Sequence, residues 1–176
     1  MCWLTELFKK TEFPLIKTPP LTIPHPEEPA NPAITMANFN LDGVFDRWFQ
    51  GWNVPVMERD YWRTAISVEV TEAIPYPAQT WEQDGKRHLD VRPEWLNPGV
   101  IAHEQAHNSY TLLSQEQKEG FARKHTALKT SDPLIKLLYS TNTYGLTNDI
   151  EGHAECYRFL GLSLPEALKP YYPKLL

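Results

Sequence analysis

The pentapeptide HEQAH at residues 103–107 constrains the fold more than any other stretch of the chain. It is an instance of the HExxH pattern, in which two histidines four residues apart share one face of an α-helix and can bind one ion. Asn97-Pro98 predicts the start of that helix, because proline is favoured at the first helical position. The apolar residues that follow, Val100 to Ala102, are expected to be buried.

Glu104 follows the first histidine directly, so its carboxylate can reach a metal-bound water without binding the metal. Zn²⁺ lowers the pKa of such a water to about 7 and polarises a carbonyl, and the glutamate can take the proton. The alternative is a solvated helix on which His103 and His107 merely share a side. A third ligand elsewhere in the chain is needed to favour the metal site.

Composition limits the remaining function classes. The chain has 176 residues, enough for one domain with a real core, and 41% of them are hydrophobic. A net charge of −5 gives no electrostatic footprint for nucleic acid or an anionic membrane. Two cysteines, Cys2 and Cys156, imply no disulfide framework, and Cys156 is expected to be a small core residue. The N-terminus has charges where a signal peptide needs an apolar run, and no 18-residue apolar segment occurs. We therefore expect a soluble protein, either cytoplasmic or exported by a route that needs no signal peptide.

The N-terminal part differs in composition from the rest. Residues 1–35 are predicted to form a short amphipathic helix followed by a proline-rich arm, since seven prolines lie between Pro14 and Pro32. The arm is either a linker or tail, or a segment that lies along the protein and regulates its cleft. Residues 36–176 are predicted to form the main domain.

The main domain is predicted to combine helices with a small sheet. Asn40 caps a helix with an aromatic stripe, residues 65–70 alternate as a strand, and Asp84-Gly85 predicts a hairpin joining strands 78–83 and 86–91. Strand 86–91 precedes the metal helix, so we expect an edge there that could bind a peptide by strand addition. Further predicted elements are helices from Ser114 to about Lys129 with a solvated His125, from Asp132-Pro133, and from Asn148 to Gly161, then a short helix from Leu162 with a proline-flanked tail.

Glu151 and Glu155 on the predicted helix after Asn148 are candidates to complete the metal site. They lie four residues apart and so share a helical face, and two histidines with one glutamate are a common zinc ligand set. Glu155 could accept a hydrogen bond from the far nitrogen of a ligating histidine. The structural alternatives are a capping-box pair of Glu151 with Asn148 and an exposed helix charge for Glu155. His153 competes as a ligand, but its position on the helix points it away from the glutamate face.

HEQAH followed by TYGLTNDIEGHAECYRF resembles the catalytic domain of anthrax lethal factor and the related Pro-Pro endopeptidases. These proteins are gluzincins, zinc metalloendopeptidases with a zincin fold. The resemblance implies an α+β fold with a small, twisted, mainly antiparallel sheet packed on the metal helix, followed by a helical subdomain that carries the third ligand. It implies that His103, His107 and Glu151 bind Zn²⁺, that Glu104 is the general base, that Tyr144 donates to the oxyanion and that Glu155 supports a ligand.

The resemblance covers two short windows, together about 25 residues. It does not reach the first ninety or so residues, so toxin biology is not implied. The expected function is a monomeric zinc endopeptidase acting on a peptide or protein, with no nucleic-acid or membrane partner. One alternative is a non-catalytic zincin scaffold that serves as a binding module. Another is a latent peptidase whose cleft holds the arm or the tail Tyr171–Leu176, with Cys2 or His25 as a fourth ligand.

Overall fold

A computed structural model describes residues 40–176, and within this range the chain is an α+β domain with six α-helices and one three-stranded sheet. The predicted N-terminal helix and arm, with Cys2 and His25, lie outside the described residues. The elements are α1 (Leu41–Gly51), α2 (Val56–Thr64), β1 (Ile66–Val70), β2 (Ala78–Gln83), β3 (Lys86–Val91), α3 (Pro98–Thr111), α4 (Gln115–Ser131), α5 (Pro133–Thr141) and α6 (Asp149–Leu160). None of the helices from residue 40 onward has the length and apolar character that crossing a membrane would require.

The sheet is mixed, in the order β1-β3-β2, with β3 parallel to β1 and antiparallel to β2. The predicted hairpin is confirmed: Asp84 and Gly85 both have positive φ, 52° and 74°, as a two-residue turn of this kind requires. The prediction of a mainly antiparallel sheet is wrong. The segment after β1 places β2 two positions away from β1 in the sheet. Strand β3 then occupies the position between them and runs parallel to β1.

Strand β3 is also not the edge strand that the sequence suggested. Among the strands of residues 40–176 it is paired on both sides, whereas β2 is paired only with β3 and lies next to α3. Alternation of residues reports which face of a strand is buried but not its position in the sheet. In the part of the chain that the structure describes, the strand with an unpaired edge beside α3 is therefore β2.

Local capping signals account for the ends of most helices. Asn40, Asn97 and Asn148 each accept a backbone N–H in the first turn of α1, α3 and α6. Ser114 and Gln117 form the predicted capping box of α4. The predicted start of α5 at Asp132-Pro133 and the end of α6 at Gly161 are also confirmed.

Helix α3 is the centre of the domain, with α1 and α6 packed against it. Ten of its 14 residues are buried, which a solvated surface helix could not show. The aromatic stripe of α1 packs into the same core, where Trp48 contacts Trp62 of α2 at 5.8 Å between ring centroids. A motif helix buried in this way is held on several sides, so its side chains have little freedom to rearrange.

His125 on α4 is buried, and the prediction that it is solvated is wrong. Its ring stacks on Phe121, and its Nε2 lies 2.5 Å from the hydroxyl of Tyr139 on α5. Most residues of α4 are polar, so its few core-facing positions form too weak a stripe to be recognised from sequence.

The C-terminal segment forms two single 3₁₀ turns, Gly161–Ser163 and Lys169–Tyr171, where a short helix was predicted. Prolines at 165, 170 and 173 prevent a continuous helix. The tail packs into the core instead, with Tyr172 and Leu175 buried. Ser109 of α3 donates to the Pro173 carbonyl at 2.8 Å, and Trp62 donates to the Lys174 carbonyl at 3.0 Å. These bonds tie the tail to the back of α3 and to α2.

Candidate metal centre

Two helices that are distant in sequence meet at the centre of the domain and bring the predicted ligands together. Helix α3 contributes His103 and His107 one turn apart, and α6, which packs against it, contributes Glu151 from its first turn. The side chains of all three are largely buried, with 10%, 16% and 18% exposure. Their ligand atoms lie within 4.8 Å of one another, so this cluster could hold a metal ion.

The spacing of the three ligand atoms fits a small tetrahedral ion. The Nε2 atoms of His103 and His107 are 3.0 Å apart, and Oε2 of Glu151 lies 3.3 Å from the first and 3.5 Å from the second. A tetrahedral ion with bonds of about 2.0–2.1 Å places its ligands about 3.3–3.4 Å apart. The three atoms therefore have the separation that Zn²⁺ or an ion of similar size would need.

Glu155 lies one turn beyond Glu151 and contacts the far side of His103. Its Oε1 is 2.6 Å from Nδ1 of His103, and the side chain is 1% exposed. A proton on Nδ1 satisfies this carboxylate and leaves the lone pair of Nε2 free to face His107 and Glu151. Burial by itself would raise the pKa of Glu155, but the hydrogen bond from His103 and the charge of Arg158 hold it below its usual value.

The two glutamates also determine the charge of the cluster. Burial disfavours a charged His103, yet the carboxylates of Glu151 and Glu155 raise its pKa to about 9. Glu151 is likewise opposed by burial, and the two histidines lower its pKa to about 2. Without an ion, His103 is therefore a cation at neutral pH, and a metal ion has to displace its proton.

Glu104 is buried beside the cluster without belonging to the ligand triangle. Burial raises the pKa of its carboxyl, while the two histidines oppose this shift. The hydroxyl of Thr80 on β2 lies beside this carboxylate and also opposes the shift, because it lowers the pKa. A buried carboxylate whose pKa is raised binds a proton more readily than an exposed one, as a proton acceptor in catalysis must.

Tyr144 lies at the rim of the cluster, in the 3₁₀ turn Tyr144–Leu146 that precedes α6. Its ring centroid is 6.1 Å from that of His103, and its hydroxyl lies next to the Glu151 carboxylate. Burial and the neighbouring Glu151 carboxylate raise its pKa to about 12. The phenol is therefore protonated at neutral pH and can donate a hydrogen bond, and its 46% exposure leaves it accessible from outside.

The competing candidates lie elsewhere. His153 is fully buried on the opposite side of α6, where its ring stacks on Tyr172 and its Nε2 is 2.7 Å from the Tyr171 carbonyl. The prediction that it points away from the glutamate face is confirmed. Cys156 is buried, as predicted, and His88 stacks on Trp81 on the sheet.

Three residues of the site were not predicted from the sequence: Thr80, Asn142 and Arg158. Arg158 lies 3.6 Å from Oε1 of Glu155, and the side-chain amide of Asn142 donates to Oε2 of the same carboxylate. The spacing of Arg158 from Glu155 on one helix was a usable signal. Thr80 and Asn142 contact the site across the fold, and no local pattern indicates such contacts.

Comparison of the chain with models of known families, with curated proteins and with solved structures found no match. Residues 40–176 thus define an α+β domain with a buried His–His–Glu cluster able to hold a metal ion. Any more specific function has to be inferred from the chemistry of that cluster.

Proposed function

We propose that this chain is a zinc-dependent endopeptidase of the gluzincin type with a zincin-like fold. One observation carries the proposal: the ligand atoms of His103, His107 and Glu151 converge at tetrahedral spacing, with a buried carboxylate and an accessible phenol beside them. The sequence resemblance gives the same roles to these residues. The presence of Glu104 and Tyr144 is what favours an enzyme over a metal site that only stabilises the fold.

The ligand set suits zinc because two imidazoles and one carboxylate are a common catalytic zinc set that keeps one position open. A bound Zn²⁺ ion would lower the pKa of water at that position to about 7 and polarise a peptide carbonyl. Glu155 would keep His103 in the tautomer whose Nε2 can bind the ion.

The remaining steps belong to side chains of this chain. Glu104 takes the proton of the attacking water and passes it to the leaving amine after the peptide bond breaks. The hydroxyl of Tyr144 donates to the carbonyl oxygen of the substrate as negative charge develops there. A substrate peptide lies extended along the free edge of β2, where unpaired backbone groups can bind it as an additional strand. Thr80 on the same strand links this edge to the base.

The alternative is a non-catalytic or latent zincin scaffold that acts as a binding module. A structural zinc site normally has four protein ligands, whereas the cluster formed within residues 40–176 offers three and has a base beside it. The tail Tyr171–Leu176 is one of the segments considered for blocking the cleft. It makes hydrogen bonds to α2, α3 and α6. Both observations favour the peptidase.

The substitution Glu104→Gln tests the proposal, because it removes the base and keeps the volume of the side chain. We expect the zinc content of the wild type and a loss of peptide cleavage of at least about 10²-fold, in line with the usual contribution of a general base. Cleavage is measured by mass spectrometry on a peptide library with the zinc-loaded full chain. Glu116→Gln, at an exposed glutamate of α4, is the matched control and should cleave normally.

Two outcomes would contradict the proposal. Full cleavage by the Glu104→Gln variant would show that another group is the base. A zinc-loaded wild type that cleaves no peptide in the library would favour the binding module.

A further inference from the structure

Asn142 lies between the metal cluster and the 3₁₀ turn Tyr144–Leu146, which we call the tyrosine turn. It has no role in the mechanism above. It ends α5, where its backbone N–H donates to the Leu138 carbonyl at 2.9 Å. The residue is 9% exposed, so its side-chain amide needs partners inside the protein. Both hydrogen-bond partners of that amide belong to the candidate site.

The side-chain amide of Asn142 donates one hydrogen bond and accepts another. Its Nδ2 donates to Oε2 of Glu155, and its Oδ1 accepts the backbone N–H of Tyr144 at 3.0 Å. The orientation of the amide is unambiguous, because an ionised carboxylate can only accept and a backbone N–H can only donate. Asparagine is the smallest side chain that offers a donor and an acceptor from one planar group.

Each partner of Asn142 touches the cluster at a different point. Glu155 uses its other oxygen to contact Nδ1 of His103 at 2.6 Å. The ring of Tyr144 lies 6.1 Å from that of His103, and its hydroxyl neighbours the Glu151 carboxylate. One amide therefore connects the carboxylate that orients a ligand with the backbone segment that carries the phenol.

We infer that Asn142 is a positioning residue, which holds Glu155 against His103 and sets the place of the Tyr144 phenol relative to the metal ligands. Its part in the reaction rests on the proposed function, while its effect on metal binding does not. If Nδ2 is removed, the buried Glu155 carboxylate loses a donor and is free to turn away from His103. If Oδ1 is removed, the turn that carries Tyr144 loses the bond that fixes its first residue.

Two substitutions separate these bonds. Serine at 142 can still accept the N–H of Tyr144, because serine makes the same local turn, but it is too short to reach Glu155. Leucine has the same number and branching of side-chain heavy atoms as asparagine and removes both bonds. Asn40→Ser is the matched control, since Asn40 also accepts a backbone N–H, from Gly43, and serine caps helices equally well.

The first readout is Co²⁺ binding by the full chain, which needs no peptide substrate. We expect Asn142→Ser to weaken Co²⁺ binding about 10- to 100-fold, as loss of a group that supports a ligand usually does, and to change the visible d–d absorption of the bound ion. Asn40→Ser should change neither. In a Glu155→Gln background the effect of Asn142→Ser should disappear, because the two residues act through one bond.

The second readout is peptide cleavage at saturating zinc. Asn142→Leu should lower kcat more than it changes KM, and a Tyr144→Phe background should remove that loss. If the leucine variant does not fold, the serine variant alone decides. Co²⁺ affinity and absorption unchanged in Asn142→Ser would overturn the inference, even if the variant melts at a lower temperature. A wild type without peptidase activity would defeat the proposed function only, since the Co²⁺ result would still decide on Asn142.

Discussion

The chemistry of His103 depends on which of its two ring nitrogens carries the proton. Glu155 faces Nδ1 at 2.6 Å, while Nε2 faces Glu151 at 3.3 Å and His107 at 3.0 Å. A proton on Nδ1 leaves the lone pair of Nε2 directed at the cluster, so Glu155 favours the tautomer that could bind a metal ion. Glu155, which is not one of the three candidate ligands, thus decides whether the Nε2 atoms of both His103 and His107 are available to an ion.

At the same scale, Tyr144→Phe tests the proposed role of the phenol. The substitution removes one hydroxyl that is protonated at neutral pH and leaves the ring beside His103. If the phenol donates only to the charge that develops on the substrate oxygen, kcat should fall about 10²–10³-fold with little change in KM. Steady-state kinetics on a peptide identified by library profiling measures this. A rise in KM with unchanged kcat would assign Tyr144 to substrate binding instead.

Among the elements, helix ends and the hairpin could be predicted because their signals are local. Asn97, Ser114 and Asn148 cap helices through bonds to residues three positions away, so their pattern is visible in the sequence. The direction in which β1 pairs with β3 depends on the path of the whole chain between them. The spacing on α3 and α6 therefore predicted the ligand cluster, whereas the position of the edge strand followed only from the fold.

Long-range contacts also explain why the burial of His125 and the contact of Asn142 with Glu155 were not predicted from the sequence. His125 comes from α4 and packs against Gly152 of α6, next to the carbonyl of Gly145 in the tyrosine turn. Its burial depends on three elements meeting, and the charged sequence around it indicates the opposite. Similarly, an asparagine before a turn is a familiar pattern, but its contact with Glu155 requires α5 and α6 to pack.

The close packing at Gly152 predicts that Gly152→Ala destabilises the domain. An added Cβ would lie 2.4 Å from Cε1 of His125 and 2.9 Å from the Gly145 carbonyl oxygen, so the buried histidine or the backbone of the turn has to move. Overpacking of this kind typically costs about 1–3 kcal/mol, which urea unfolding of the full chain measures. Gly51→Ala is the control, because its Cβ would meet nothing within 4 Å and alanine is the better helix former. Equal stability of the Gly152→Ala variant and the wild type would show that α4 can move away from α6 freely.

For the molecule as a whole, an ion in the cluster would act as a cross-link between α3 and α6. Helix α3 is surrounded by α1, β2 and α6, so fixing α6 to it ties the N-terminal and C-terminal parts of the domain together. The unfolded chain does not hold the three ligands in this geometry, so binding favours the folded state. Stability therefore reports metal binding without any assumption about the reaction.

This linkage predicts that zinc stabilises the domain and that the gain increases with pH. At free zinc of 100 times Kd the free energy of unfolding should rise by about 2.7 kcal/mol relative to protein in EDTA. The metal-free protein contains a protonated His103 whose pKa is raised to about 9, so this group contributes stability that is complete below its ordinary pKa of 6.5 and is lost as the pH rises through 9. The ion displaces that proton, and displacement becomes easier as the pH approaches 9.

From pH 6 to 8.5, at constant free zinc well above Kd, the gain should therefore grow by up to about 1.4 kcal/mol per pH unit for the one proton displaced. Glu151 does not alter this slope, because its pKa of about 2 keeps it ionised over the whole range. Urea unfolding at fixed free zinc, with Glu151→Gln as a variant that lacks one ligand, measures the gain at each pH. A gain that stays flat or falls toward pH 8.5 would mean either that His103 is neutral in the metal-free protein or that the ion is held outside this cluster, and loss of the gain in Glu151→Gln would separate the two.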